Sequence, residues 1–367
     1  MTSNASDPDH QVHATPDSTR QLVRGVYRPP TRVTNWRLEQ LVGHDCVRYF
    51  SLGRHALAAA LRAGGITAGD TVLLPEFICR EVLAALSTVG ATPAYYPVSP
   101  SLALACDAAR LPVAKAVLAV DYFGFPQDLA PFKQYCERSG AVLIEDNAHG
   151  LFSRDAEGRA LGARSDVGIF SLRKTLPAPD GAALAFNHEK FAPALAPQLA
   201  FDTTPAPLSF RIKSSIRGLT PVTGVWPARF ATACTRFARW VRSGHRIAPS
   251  SPEAEVRIPG RVAPSQALLH AMTHTDVAAE SARRRALYQR MGAALDPARY
   301  PPLFGTLPEH VVPYGYPFIA DGAAAASASH TLAQLGLECF RWPELPDAIV
   351  PTAPMHYKSV WMVSFLW

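Results

Sequence analysis

The sequence predicts an α/β fold: a large, mostly parallel sheet covered by helices on both faces, followed by a smaller α+β segment. Three observations carry that reading. Short apolar runs alternate with Ala- and Leu-rich helical stretches up to about residue 190, as strands buried on both faces require. The chain has 367 residues, 48% of them hydrophobic and 18% charged, which suffices for a sizeable core. The alternation then stops, and between Phe191 and Ala263 Pro, Ser and Arg dominate with no strand pattern.

Taken in order, residues 1–22 are polar and without apolar periodicity, so they read as a disordered tail with no secretory h-region. Residues 23–264 read as the large domain, and 265–367 as the small one. Arg54–Gly64 (RHALAAALRAG) predicts a buried helix ended by glycine, and Thr71–Pro75 (TVLLP) a strand ended by proline. Glu81–Val89 predicts a second helix and Pro93–Val98 a second strand. Lys115–Val120 and Ala141–Ile144 predict two more strands, with a helix over Asp128–Ser139 between them. Val167–Ser171 and Ala182–Phe186 complete the strands of the large domain.

In the 191–263 insertion, Trp226, Phe230, Cys234, Phe237 and Val241 recur at helical spacing, with Arg229, Arg236, Arg239 and Arg242 around them. Such a helix can lie on a membrane surface or bind an anionic partner. The plainer reading is that it packs its apolar face on the domain. One long helix is predicted over QALLHAMTHTDVAAESARRRALYQRM. A smaller α+β segment follows through Pro317–Ile319, a helix around Ala323–Leu335, and Cys339–Arg341.

Composition excludes several classes. No run nears the ~18 apolar residues of a membrane span. Six scattered cysteines without C-x-x-C argue against a disulfide framework or a metal site and fit a reducing cytosol. The net charge of +6 lacks the basic stripe of a nucleic-acid binder.

Three clusters carry chemistry. Ile144-Glu145-Asp146-Asn147-Ala148-His149 delivers an acidic pair to the carboxyl end of a strand, where open α/β sheets place ligands. An aspartate there can keep a ring nitrogen protonated, or can merely cap a helix. Phe170-Ser171-Leu172-Arg173-Lys174 sets a lysine on the turn after a strand, where a lowered pKa makes it a nucleophile; alone it would read as a solvated loop lysine. Gly53-Arg54-His55 opens a helix whose first N–H groups can bind a phosphate.

In order and spacing these clusters resemble the DegT/DnrJ/EryC1/StrS family of sugar aminotransferases. The segments that carry the resemblance are GRHALAAAL, GDTVLLPEFICREVLAAL, GATPAYYPV, DYFGFPQDL, VLIEDNAHG, LGARSDVGIFSLRKTLPAPDGAAL and RRRALYQRM. The resemblance implies a fold-type I transferase dependent on pyridoxal 5′-phosphate. It also implies a cytoplasmic homodimer that moves an amino group from glutamate to a keto-sugar nucleotide or related carbonyl compound. Lys174 would be the Schiff-base lysine and proton carrier, Asp146 would hold the pyridine nitrogen, and His149 would sit near the phenolic oxygen. Ser171, Gly53, Arg54 and His55 would surround the phosphate. Phe77 would stack on the ring, with Cys79 the competing position.

The chain departs from the family at several points. Only two residues separate Ser171 from Lys174, Asp121 stands where the family has a histidine, and VRIPGRVAPS offers no match to the usual Asn-x-Arg. The end at VSFLW suggests a truncated small domain. The alternatives are a cofactor-binding relative that does not transaminate and, from the Arg-rich segment alone, a membrane-associated scaffold.

Overall fold

Parallel strands need crossover connections, and helical stretches between the apolar runs supply several of them. The computed structural model describes residues 33–194, 197–223, 252–334 and 337–365, together with Pro227, Phe230, Cys234 and Val241. After α1 (Leu38–Val42), the large sheet takes β1 (Val47–Phe50), β2 (Thr71–Pro75), β3 (Thr92–Tyr96), β4 (Ala116–Val120), β5 (Val142–Asn147), β6 (Val167–Phe170) and β7 (Ala182–Phe186). Their spatial order is β1-β7-β6-β5-β4-β2-β3. Neighbours from β3 to β6 run parallel, whereas β7 is antiparallel to both β6 and β1. Helices α2 (Gly53–Ala63), α3 (Leu83–Val89) and α4 (Ala130–Ser139) supply crossovers and cover.

This topology decides where the chemistry collects. β5 and β6 are adjacent and parallel, with Asn147 opposite Phe170, so the EDNAH and FSLRK segments leave the sheet at the same edge. Two antiparallel steps, β6 to β7 and β7 to β1, bring β1 back to the direction of β6. The start of α2, three residues after β1, therefore emerges at that edge too. The strand predictions missed β1, whose VRYF is too short and too polar at Arg48 to stand out.

The C-terminal part begins with α6 (Gln266–Thr273) and α7 (Val277–Ala294), the insertion contributing α5 (Leu208–Thr223) before them. The single long helix expected after Ser265 is thus two. Asp276 sits at the N-cap of α7 in extended conformation and accepts from Ala279 N–H at 3.0 Å, which starts a new helix. A three-stranded antiparallel sheet follows, with β8 (Gly315–Ile319) and β9 (Cys339–Arg341) flanking β10 (Val360–Ser364). Helices α8 (Gly322–Gln334) and α9 (Met355–Lys358) complete it. The VSF segment that suggested truncation thus lies in or beside the middle strand of this sheet, with Phe365 fully buried behind it.

The two parts share their cores. One apolar cluster runs from α2 and the large sheet through Phe77 and Phe123 to Trp342, Tyr357 and Phe365. A second packs Trp36, Tyr49, Phe170 and Leu172 against Leu268 and Met272 of α6.

The predicted basic helix meets the structure only in part. Residues 1–22, Trp226, Arg229, Arg236, Phe237, Arg239 and Arg242 lie outside the described residues. Phe230, 73% exposed, and Val241, 64% exposed, do not pack on the domain as expected. On α5, Leu208, Ile212, Leu219 and Val222 are exposed as well. Among the described residues, no helix is long and apolar enough to cross a membrane.

Candidate active site

At the sheet edge described above, a cleft open to solvent is lined by Gly53, Arg54, Asp146, His149, Ser171 and Lys174. Six of the eight residues singled out in the sequence are therefore brought together. Cys79, Glu81, Arg173 and Trp342 line the same cleft.

Lys174 closes a single helical turn after β6, and its Nζ lies 3.0 Å from Nε2 of His149. Burial holds the amine below the usual ammonium range, while Cys79, Asp146 and Glu81 oppose that shift and Arg173 reinforces it. Asp146, near the end of β5, accepts from Ala148 N–H at 3.0 Å. Its carboxyl is raised by burial, against the pull of the Lys174 charge. His149 is held well below the usual imidazole range by burial and then by Lys174.

The imidazole is fixed on three sides. Tyr314 stacks on it with centroids 4.4 Å apart and planes at 6°. Trp342 meets it edge-on at 5.0 Å. Behind it, the backbone N–H of Phe123 donates to Nδ1 at 3.2 Å. Phe123 reaches that position in a left-handed conformation, φ 56°, followed by Gly124 at φ 91°. A side chain at Gly124 would meet the carbonyls of Val312 and His149 at 2.9 and 3.0 Å, so the turn needs glycine there.

The start of α2 offers a different chemistry. Its N-cap, Leu52, makes no side-chain hydrogen bond, so the first turn carries no side-chain acceptor. Arg54 stands in that turn, where the helix dipole disfavours a cation unless an anion is bound. Among the described residues no ion pair is formed by Arg54, and burial, then Arg173, holds its guanidinium below the usual range against Glu81. A phosphate at this position would satisfy both the helix start and the guanidinium.

Two expected residues lie elsewhere. Phe77 is fully buried, its ring packed on Tyr122, Trp342 and Tyr357 at 5.3–5.6 Å, and it does not line the cleft. Cys79 takes the lining position, its thiol pushed up to about 12 by burial. His55 turns away because successive helical residues point about 100° apart. It lines a separate cleft with Arg62 and Ile258.

Asp121, the departure from the family's histidine, is fully buried and receives Arg164 Nη2 at 2.7 Å. Arg164 also binds Glu145 through Nε at 2.7 Å and through its backbone N–H at 3.0 Å. This one guanidinium joins Glu145 of β5 to Asp121 in the turn after β4.

Sequence reasoning missed Trp342 and Tyr314, which come from distant C-terminal loops and carry no local signal. Arg173 and Glu81 stood inside quoted motifs and could have been flagged as charges beside Lys174. Among the described residues there is no cluster of His, Cys, Asp or Glu suited to a metal ion.

Residues 35–197 match the model of the DegT/DnrJ/EryC1/StrS aminotransferase family. Protein MosB of Rhizobium meliloti is 34% identical over 153 residues, 40% of this chain and 30% of that protein. The L-glutamine:2-deoxy-scyllo-inosose aminotransferase of Streptomyces kanamyceticus is 36% identical over 141 residues, 36% of this chain and 32% of that protein. The chain thus spans about a third of the length of the curated relatives it matches. Among solved structures, the aminotransferase TlmJ of Streptoalloteichus hindustanus superposes with a TM-score of 0.59 at 19% identity, covering 96% of this chain and 91% of that one. That likeness extends the shared fold to the C-terminal part.

Proposed function

We propose that this chain, whose residues 35–197 are a DegT/DnrJ/EryC1/StrS aminotransferase-family segment, is a pyridoxal-phosphate-dependent aminotransferase. Its donor would be glutamate or glutamine, and its acceptor a keto-sugar nucleotide or related carbonyl compound. The observation that carries this reading is one cleft holding a buried amine, a carboxylate and an anion-seeking helix start, from Lys174, Asp146 and Gly53–Arg54.

The donor set fits the cofactor. Lys174 would hold it through its amine, Asp146 would take the ring nitrogen, and Gly53, Arg54 and Ser171 would take the phosphate. When bound, the cofactor supplies an electron-poor ring that takes up the electron pair left when a proton leaves the carbon bearing the transferred nitrogen. The protein's own part is proton handling and orientation. Lys174, whose ammonium form burial disfavours, accepts and returns the proton at Nζ. Asp146, tied by the Ala148 N–H, keeps its carboxylate aimed and supplies the negative charge at the cleft floor. Tyr314 and Trp342 shield one side of His149 from water. A homodimer belongs to this reading, and the exposed apolar series Leu208, Ile212, Leu219 and Val222 supports it as a surface needing cover.

The test is an absorbance spectrum of the purified chain with pyridoxal phosphate, recorded before and after L-glutamate or L-glutamine, with sedimentation in parallel. A visible band that borohydride fixes onto the Lys174 peptide, that either amino acid bleaches, and that travels at twice the chain mass is expected. A band unmoved by amino donors would turn the reading toward a cofactor-binding protein that does not transaminate.

A further inference from the structure

The contact between His149 and Lys174 is ambiguous if taken alone, because either nitrogen could be the donor. The surroundings remove the ambiguity. Phe123 N–H points at Nδ1 of His149 at 3.2 Å, and a backbone amide can only donate. Nδ1 must therefore present its lone pair. A ring rotated by 180° would set a carbon against that buried N–H and leave the donor unmet. A doubly protonated ring would oppose two N–H groups in a site where burial already disfavours the charge. The remaining form is the neutral imidazole with its proton on Nε2, and Nε2 is the atom that faces Lys174 Nζ at 3.0 Å.

We propose that the Phe123 amide, acting through His149, holds Lys174 as a neutral amine whose lone pair accepts the Nε2 proton, so that the nucleophilic form is set by the fold before any ligand arrives. An ammonium would present a third N–H to an N–H donor and lose this contact. The left-handed turn Phe123–Gly124 acquires a purpose, since it is what aims the amide at the ring. His149 and Phe123 are positioning residues in this scheme.

Other groups also face Lys174. Cys79 and Glu81 come from beyond β2, Asp146 from the end of β5, and Arg173 from its own turn. The Tyr314 ring lies 5.7 Å from Nζ, and Arg284 reaches the Lys174 carbonyl rather than the amine. Burial and Arg173 oppose the ammonium while Cys79, Asp146 and Glu81 favour it, and the hydrogen bond from His149 adds to burial on the side of the neutral amine.

The identity of the cofactor does not enter the test. The full-length chain, free of added ligand, is reductively methylated with limiting formaldehyde and cyanoborohydride across a pH series. Mass spectrometry compares Lys174 with the exposed Lys115. Lys174 should be modified at a lower pH than Lys115. His149→Phe keeps the ring stack but removes the donor, and should raise the Lys174 profile by about one pH unit, roughly a tenfold slower modification at neutral pH. His149→Gln, which retains an N–H donor, should recover part of the shift. An unmoved profile in His149→Phe would mean that burial alone sets the amine, and the proposal fails. If that variant does not fold, the ring ¹⁵N shifts of His149 in the wild-type chain decide. A proton on Nε2 supports the proposal and a proton on Nδ1 overturns it. Failure of the pyridoxal phosphate spectrum would leave these outcomes unaffected.

Discussion

Arg284, fully buried in α7, donates through Nη2 to the carbonyl of Thr175 at 3.3 Å and so ties the C-terminal part to the turn that carries Lys174. Its Nη1 reaches the carbonyl of Tyr314 at 3.0 Å, and Nε is held by Glu280 at 2.7 Å. One guanidinium thus fixes the Lys174 turn relative to the ring stacked on His149. The planar fork of arginine suits this, whereas an ammonium cannot reach three directions with fixed angles.

Arg284→Met should therefore lose stability by about 2 kcal/mol or more, because it removes one of the two arginines on Glu280 and the buried charged donor to the carbonyl of Tyr314, leaving Arg283 as the remaining partner of Glu280. Arg284→Lys restores the charge without the fork and should recover less than half of that loss. Urea unfolding of the three proteins measures both. A loss below about 1 kcal/mol in Arg284→Met would show that the clamp is incidental.

The Asp121 carboxyl gives a prediction in pH. Burial and the neighbouring Glu145 raise it well above the ordinary carboxyl range, although Arg164 opposes this. Its Oδ2 accepts no hydrogen bond among the described residues. The sign follows from linkage. In the unfolded chain this group ionises near pH ~3.9, while in the folded chain it keeps its proton to higher pH. Unfolding then releases a proton, so the group's contribution to stability falls as pH rises through that window, by at most ~1.4 kcal/mol per unit. Asp121→Asn removes the titration and keeps an acceptor for Arg164. Its stability relative to wild type should rise between about pH 4 and pH 7, measured by denaturant midpoints. A constant difference across that range would mean that Asp121 is ionised throughout.

Legibility followed chain distance. The runs TVLLP and AALAF were read with the bounds the structure shows, because each is a short apolar run buried in the sheet. The cleft was legible as far as its parts lie at strand ends, since a parallel sheet sends Asp146, His149, Ser171 and Lys174 to one edge. Phe77 failed because a large aromatic near a site reads as a ligand platform, and nothing local says that Trp342 and Tyr357 arrive to bury it. Arg284 sat in a quoted motif, RRRALYQRM, where three consecutive arginines look like a solvated face. Only the fold reveals that the middle one points inward while Arg283 shares its carboxylate partner, Glu280.

The last prediction concerns the phosphate. Arg54 is the only side-chain cation in the first turn of α2, and its placement opposes the helix dipole. If its role is to bind the cofactor's phosphate, its removal should weaken pyridoxal phosphate but not pyridoxal, which has the same ring and aldehyde. A hydrogen bond to a charged group contributes about 1.5–3 kcal/mol, so Arg54→Ala should lower the preference for the phosphorylated form by about ten- to a hundredfold. Spectrophotometric titration of both compounds against wild type and variant measures that ratio directly. The ratio isolates the phosphate because a general distortion of the cleft would weaken both compounds alike. An equal loss for the two would assign Arg54 to shaping the helix start, and no loss for either would move the phosphate to Ser171 and Arg173, which line the same cleft.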